Sequence, residues 1–95
     1  MTYYSMENYK FLKFERGTKF KKYNAILQNK KTGRTVKVPF GNVKYEHFRD
    51  STGLGLYKHL DHLDKNRRKR FHARHRGFIK EGFYSPSYFS SNFLW

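Results

Sequence analysis

Four of the five histidines stand in two His-x2-His pairs, His59 with His62 and His72 with His75, a spacing at which imidazole nitrogens can converge on one zinc ion. Structural zinc sites usually include thiolate, and the chain has no cysteine. The many cations nearby also oppose the entry of a divalent ion. Metal binding is the weaker reading, and neither a metal nor another cofactor is expected. Catalysis lacks more of its parts. There is no cysteine nucleophile and no Gly-x4-Gly-Lys-Ser/Thr loop to cradle a phosphate. The cations around Asp61 and Asp64 would hold both carboxylates ionised rather than set them apart as acid and base. A buried His with Asp would leave no such signature, but on these parts the chain is not expected to be an enzyme.

The strongest chemical signal is the run "LDHLDKNRRKRFHARHRG" at residues 60–77, in which Lys65, Arg67, Arg68, Lys69, Arg70, Arg74 and Arg76 put seven positive charges into twelve positions. On a helix these side chains surround the cylinder rather than forming one stripe, so the helix is expected to meet anions on more than one side. Phosphates would serve, with an affinity that falls steeply in salt. Carboxylates of protein neighbours would serve too, through the bidentate geometry of arginine. A run of charge is also often no more than a solvated face. Further upstream, "KFLKFERGTKFKKY" interleaves aromatic with basic residues, as in a platform on which bases of a single strand stack. In so small a chain most of those rings are needed as core. No RNP octapeptide, zinc finger or helix-turn-helix pattern specifies base contacts, so any nucleic-acid binding is expected to be sequence-neutral.

The whole chain agrees with an anionic partner. Its 21 Lys and Arg against 7 Asp and Glu leave a formal charge of +14, which attracts phosphate, carboxylate or anionic lipid. High charge usually accompanies disorder, but a fifth of the residues are aromatic, and disordered tails are poor in aromatics. A folded domain held together by rings is expected. At 95 residues it buries a modest core, and without cysteine no disulfide reinforces it. The simpler expectation is folding in a reducing, intracellular setting. No apolar run approaches the roughly 18 to 20 residues that cross a bilayer, and "MTYYSMENYK" lacks the pattern of a secretory signal.

The elements that must position these residues read as follows. Residues 1–19 form an aromatic N-terminal arm with one strand across 9–15, and residues 20–95 form a single small domain. "KYNAILQ" (22–28) and "RTVKVPF" (34–40), joined by "NKKTG", predict a β-hairpin. In its second strand Val36, Val38 and Phe40 alternate with Lys37 and Pro39, and the proline marks an edge. Two strands alone are marginal, so a third is expected from the arm, with the helices on one face. Gly53 and Gly55 bracket Leu54 in a loop. A helix over 65–76 has Asp64 as N-cap and Gly77 placed for a left-handed C-cap. Its apolar content is limited to Leu63, Phe71 and Ala73, too little for a hydrophobic stripe. Ser85 and Pro86 suit the start of a short last helix, whose Tyr88, Phe89, Phe93 and Trp95 form an apolar plug for docking. The fold class is α+β: a hairpin or three-stranded antiparallel sheet with a basic helix and a short C-terminal helix.

In order, "KKYNAIL", a turn, "VKVPFG", a Tyr-rich loop, "YKHLDHLDKNRRKRFHARH" and "SPSYFSSNFLW" resemble a group of small basic proteins encoded by large DNA viruses of algae and protists. The matching positions are Phe40, Gly41, His62, Asp64, Lys65, Arg68, Arg74, His75, Ser85, Pro86, Leu94 and Trp95, and the likeness spans roughly residues 20–95. The chain departs from the group in a longer "RDSTGLGLYKHL" segment before the helix. The group carries no established activity. The resemblance implies virion structure or genome packaging, in a protein made in the host cytoplasm. With the small core, the one-signed charge and the aromatic ends, the first expectation is a minor capsid or cement component whose partners are capsid proteins with acidic surfaces. The alternative is a genome-packaging protein on the DNA or RNA backbone. In the first case the arginines at 67, 68, 70, 74 and 76 would form charge-assisted hydrogen bonds to neighbouring subunits.

Overall fold

The structure, a computed structural model, describes residues 3–95. Its elements are β1 (Tyr4–Ser5), β2 (Tyr9–Arg16), β3 (Lys21–Asn29), β4 (Thr35–Asn42), α1 (Lys65–His75), β5 (Phe83–Tyr84) and α2 (Pro86–Phe93). It is an α+β protein. The predicted hairpin is β3–β4, and the predicted third strand is β2, giving an antiparallel sheet in the order β2-β3-β4. The N-terminal arm, of which Met1 and Thr2 lie outside the described residues, therefore supplies an edge of the main sheet. β1 pairs with β5 in a separate two-stranded ribbon, Tyr4 opposite Tyr84.

Alternation places Tyr23, Ala25 and Leu27 of β3 beside Val38 and Phe40 of β4, and these residues form the buried core with Phe89 and Leu94. The β2 register slips between Phe11 and Lys13, where Leu12 is the extra residue. The bulge lets Phe11 and Phe14 both pack against that core, while Leu12 remains exposed. Pro39 lies in the edge strand β4, where its missing N–H removes no ladder bond from the sheet interior.

α2 starts as predicted: the Ser85 hydroxyl accepts from the Tyr88 N–H, and Pro86 occupies the first turn. Its plug packs inward. Phe89 stacks on Phe40 at 5.5 Å and on Tyr84 at 5.6 Å, and Phe93 meets Phe14 edge-on at 4.7 Å. Tyr88, Phe89, Phe93 and Trp95 thus dock on the chain's own core, and Phe89 at 1% exposure has no surface to offer a neighbour.

Of the two helices, α2 makes the main contact with the sheet, against β4. α1 packs on the end of α2, its single buried residue Phe71 stacked on Trp95 at 4.4 Å, with His75 stacked on the other side of Phe71 at 3.9 Å. Asp64 caps it, accepting from the N–H groups of Asn66 and Arg67. The expected left-handed cap at Gly77 does not form. The chain runs on from Arg76, at φ −53°, into a 3-10 turn over Arg76–Phe78, and the left-handed glycine falls later, at Gly82. The tighter turn satisfies the last carbonyls without a left-handed residue.

Gly41 closes β4 at φ +74°, and a Cβ there would lie 2.9 Å from Leu94 Cδ1 and 3.2 Å from Lys22 Cδ. Both neighbours are buried. Gly41→Ala combines a left-handed strain with overpacking, each costing on the order of 1 to 3 kcal/mol. A fall in Tm of at least about 5 °C is expected in a thermal melt.

Candidate functional site

Two constellations stand out: a cationic face on α1 and a buried polar network beneath the loop that precedes it. The face arises from how α1 is held. One side of the helix turns to Trp95, and two of the seven cations belong to that side. Arg67 pairs with Glu46 at 3.0 Å. Arg68 donates to the Trp95 carbonyl at 2.7 Å and lies over the Phe48 ring at 4.8 Å. Lys65, Lys69, Arg70, Arg74 and Arg76 are exposed, and among the described residues none forms an ion pair. The helix therefore does not present charge all round. At 100° per residue these five positions sweep about half of the cylinder, so a partner meets them from one side.

Next to this face are two adjoining clefts. One, of about 520 Å³, is lined by Arg67, Arg70, Ala73, Arg74 and Trp95. The other, of about 480 Å³, lies between α1 and the end of the β3–β4 hairpin, with Lys21, Arg74, Phe71 and Leu94 on its walls. They share Arg67, Arg74 and Trp95 and together make one basic groove with an aromatic wall.

Five of the seven acidic residues are committed elsewhere, which leaves most of this charge uncompensated. Asp64 caps α1, Glu46 holds Arg67, and Glu15 pairs with Lys13 at 3.6 Å. Asp50 and Asp61 are committed below the loop. There Lys22, at 1% exposure, donates from Nζ to His47 Nδ1 at 2.8 Å and to the Tyr45 carbonyl at 2.6 Å. An ammonium can only donate, so Nδ1 is bare and the His47 proton sits on Nε2, which donates to Asp61 Oδ1 at 2.6 Å. The same oxygen accepts from the Asp50 N–H at 2.9 Å. Asp50 in turn accepts from the Tyr23 hydroxyl, from Thr52 Oγ1 at 2.7 Å and from the N–H groups of Thr52 and Tyr57.

Burial lowers Lys22 to about 8, against the opposing pull of Asp50 and Asp61. Burial and hydrogen bonding to Asp50 raise Tyr23 to about 12. Burial pushes the Asp50 carboxyl up, but hydrogen bonds from Thr52, Tyr23 and Tyr57 outweigh it and hold the group below its ordinary value. An Asp–His–amine series of this kind resembles catalytic machinery, yet His47 is wholly buried and Lys22 nearly so. Neither has surface to present to a substrate. The network pins residues 45–61 to the sheet.

Burial, and next the Lys22 charge, hold His47 below 6.5 in the folded chain. The unfolded chain takes up that proton first as pH falls, so the stabilisation is complete above about pH 6.5 and is lost below it. His62, lowered chiefly by burial and then by Arg67, acts in the same direction. Melts from pH 7.5 to 5.5 are expected to show Tm falling before any carboxylate titrates, and His47→Gln should flatten that decline while lowering Tm throughout.

The paired histidines do not converge. His59 is exposed beside Tyr57, His62 packs on Trp95 at 5.1 Å, His72 donates to the Trp95 carbonyl at 3.0 Å, and His75 donates to the Phe71 carbonyl. Among the described residues no three His, Asp or Glu side chains gather as metal ligands, and no helix is long and apolar enough to cross a membrane. Comparison with known proteins returns no match to a family model, to a curated protein or to a solved structure.

Proposed function

We propose that this chain is a sequence-neutral binder of the nucleic-acid backbone, of the kind that serves genome packaging. The observation that carries the reading is the gathering of Lys65, Lys69, Arg70, Arg74 and Arg76, all exposed and without an ion pair among the described residues, on one side of α1 and its C-cap. Phosphates set along one edge of a helix or strand suit a one-sided array, and no element here enters a groove with base-reading side chains in a recognised pattern. A second reading, a minor capsid or cement component among acidic subunits, draws on the exposed Leu12, Leu54, Leu63 and Phe78, which a cementing protein would cover. It also draws on the resemblance to small basic proteins encoded by large DNA viruses.

A titration separates the two. Labelled duplex DNA of arbitrary sequence, followed by anisotropy from 50 to 200 mM salt, is expected to lose affinity along a log–log slope of about −4 to −5 if the five cations meet phosphates. Millimolar binding without a slope would remove the nucleic-acid reading. The cement reading would then be tested by whether the protein occurs at fixed stoichiometry with the shell in purified, nuclease-treated particles.

A further inference from the structure

The groove beside α1 ends at two turns that carry the most exposed aromatic rings of the chain. Phe20, 63% exposed, precedes β3, and Tyr45, 67% exposed, follows β4. The turns adjoin, because Lys21 pairs with Asn42 at that end of the hairpin and the Val43 N–H donates to the Phe20 carbonyl at 2.9 Å. Exposed cations lie among the rings: Lys19, Lys21 and Lys44, the last with its ammonium 5.7 Å from the Phe20 centroid. Tyr45 is also held in place from below, its carbonyl accepting from the buried Lys22 ammonium at 2.6 Å. Tyr45 and Lys21 line the same cleft as Arg74, and Phe20, next to Lys21 in the chain, stands just beyond the end of that groove.

Large exposed rings are costly to leave in water and are absent from the core that would explain them. Duplex DNA has no use for them, since its bases are already stacked. Unpaired bases do, because every base offers a π-face and stacking on a ring tolerates any sequence. Resting on the backbone-binding reading above, we propose that the preferred ligand is single-stranded nucleic acid, with bases stacked on Phe20 and Tyr45 and phosphates passing Lys21 and Arg74. The sequence run "KFLKFERGTKFKKY" then divides cleanly: Phe11, Phe14 and Tyr23 serve the core, and Phe20 serves the ligand.

The test compares labelled oligothymidine with a duplex of equal length, for the wild type and for Phe20→Ala/Tyr45→Ala. Both rings are exposed, so the variant should fold, as a thermal melt will show. Single-strand affinity is expected to fall roughly 5- to 150-fold per ring, with duplex affinity unchanged within about twofold. Phe20→Trp, which keeps a stacking surface, should retain single-strand binding. Equal loss on both ligands, or no loss on either, would overturn the stacking proposal while leaving backbone binding intact. Absence of any salt-dependent binding by the wild type would overturn both.

Discussion

Asp50→Ala should bring the chain close to unfolding at 25 °C, losing about 3 to 5 kcal/mol, the usual consequence of removing one member of a buried, hydrogen-bonded charge network. The two oxygens of Asp50 serve the Tyr23 hydroxyl, Thr52 and the Tyr57 N–H, and the residue is 4% exposed. Truncation leaves a buried phenol and two backbone N–H groups without an acceptor, each costing on the order of 1 to 3 kcal/mol. It also removes one of the two carboxylates that offset the buried Lys22 ammonium. A domain of this size holds in total about 5 to 15 kcal/mol. Tyr23→Phe deletes a single donor and leaves Asp50 with the others, so it should cost only about 1 to 2 kcal/mol. Urea midpoints measure both, and equal losses would show that the phenol–carboxylate bond is the whole of the effect. Since the folded Asp50 lies below its ordinary value of 3.8, its contribution is present above about pH 4 and is lost as pH falls further.

The parts of this fold that the sequence displays are local. Val36, Val38 and Phe40 alternate, so β4 and its inner face are readable, and Asp64 and Ser85 announce their helices because a cap lies within three residues of what it caps. The need for a third strand follows from counting core, and β2 supplies it. The network is invisible for the converse reason. Its bonds join Lys22 to His47 and Tyr23 to Leu56, across 25 and 33 residues, and no periodicity reports contacts at that range. Lys22 even falls where alternation predicts a wet position. The scarcity of acids offers the one available hint: with 7 carboxylates for 21 Lys and Arg, any that persist inside a loop are apt to hold structure. For α1 the pattern shows charge on all sides, and only the stacking of Phe71 on Trp95 reveals which side is inside. The same contact turns a helix expected to be surrounded by anions into one with a single binding face.

Replacing Lys65, Lys69, Arg70, Arg74 and Arg76 together with glutamine should leave the fold in place and remove most of the salt-dependent binding. Among the described residues none of the five forms an ion pair, and the exchange relieves like-charge repulsion between Lys65 and Lys69 and between Arg70 and Arg74, neighbours at i,i+4. Tm should therefore hold or rise slightly. Each lost phosphate contact reduces the salt slope by about 0.9 on duplex DNA, so the five together account for about a 500-fold change in affinity between 50 and 200 mM salt. Net charge alone would also weaken binding, and a second variant controls for it. Lys10, Lys31, Arg34, Lys37 and Lys58 are exposed on the sheet and loops, and their replacement lowers the charge by the same amount. If the α1 face is the contact, this control keeps most of the slope. Equal flattening in the two variants would mean that diffuse charge, rather than a built face, attracts the polyanion. Arg67→Gln and Arg68→Gln should behave differently from either, lowering Tm slightly through the lost bonds to Glu46 and to the Trp95 carbonyl while changing the slope less than the free cations do, because those two arginines are already bonded within the chain.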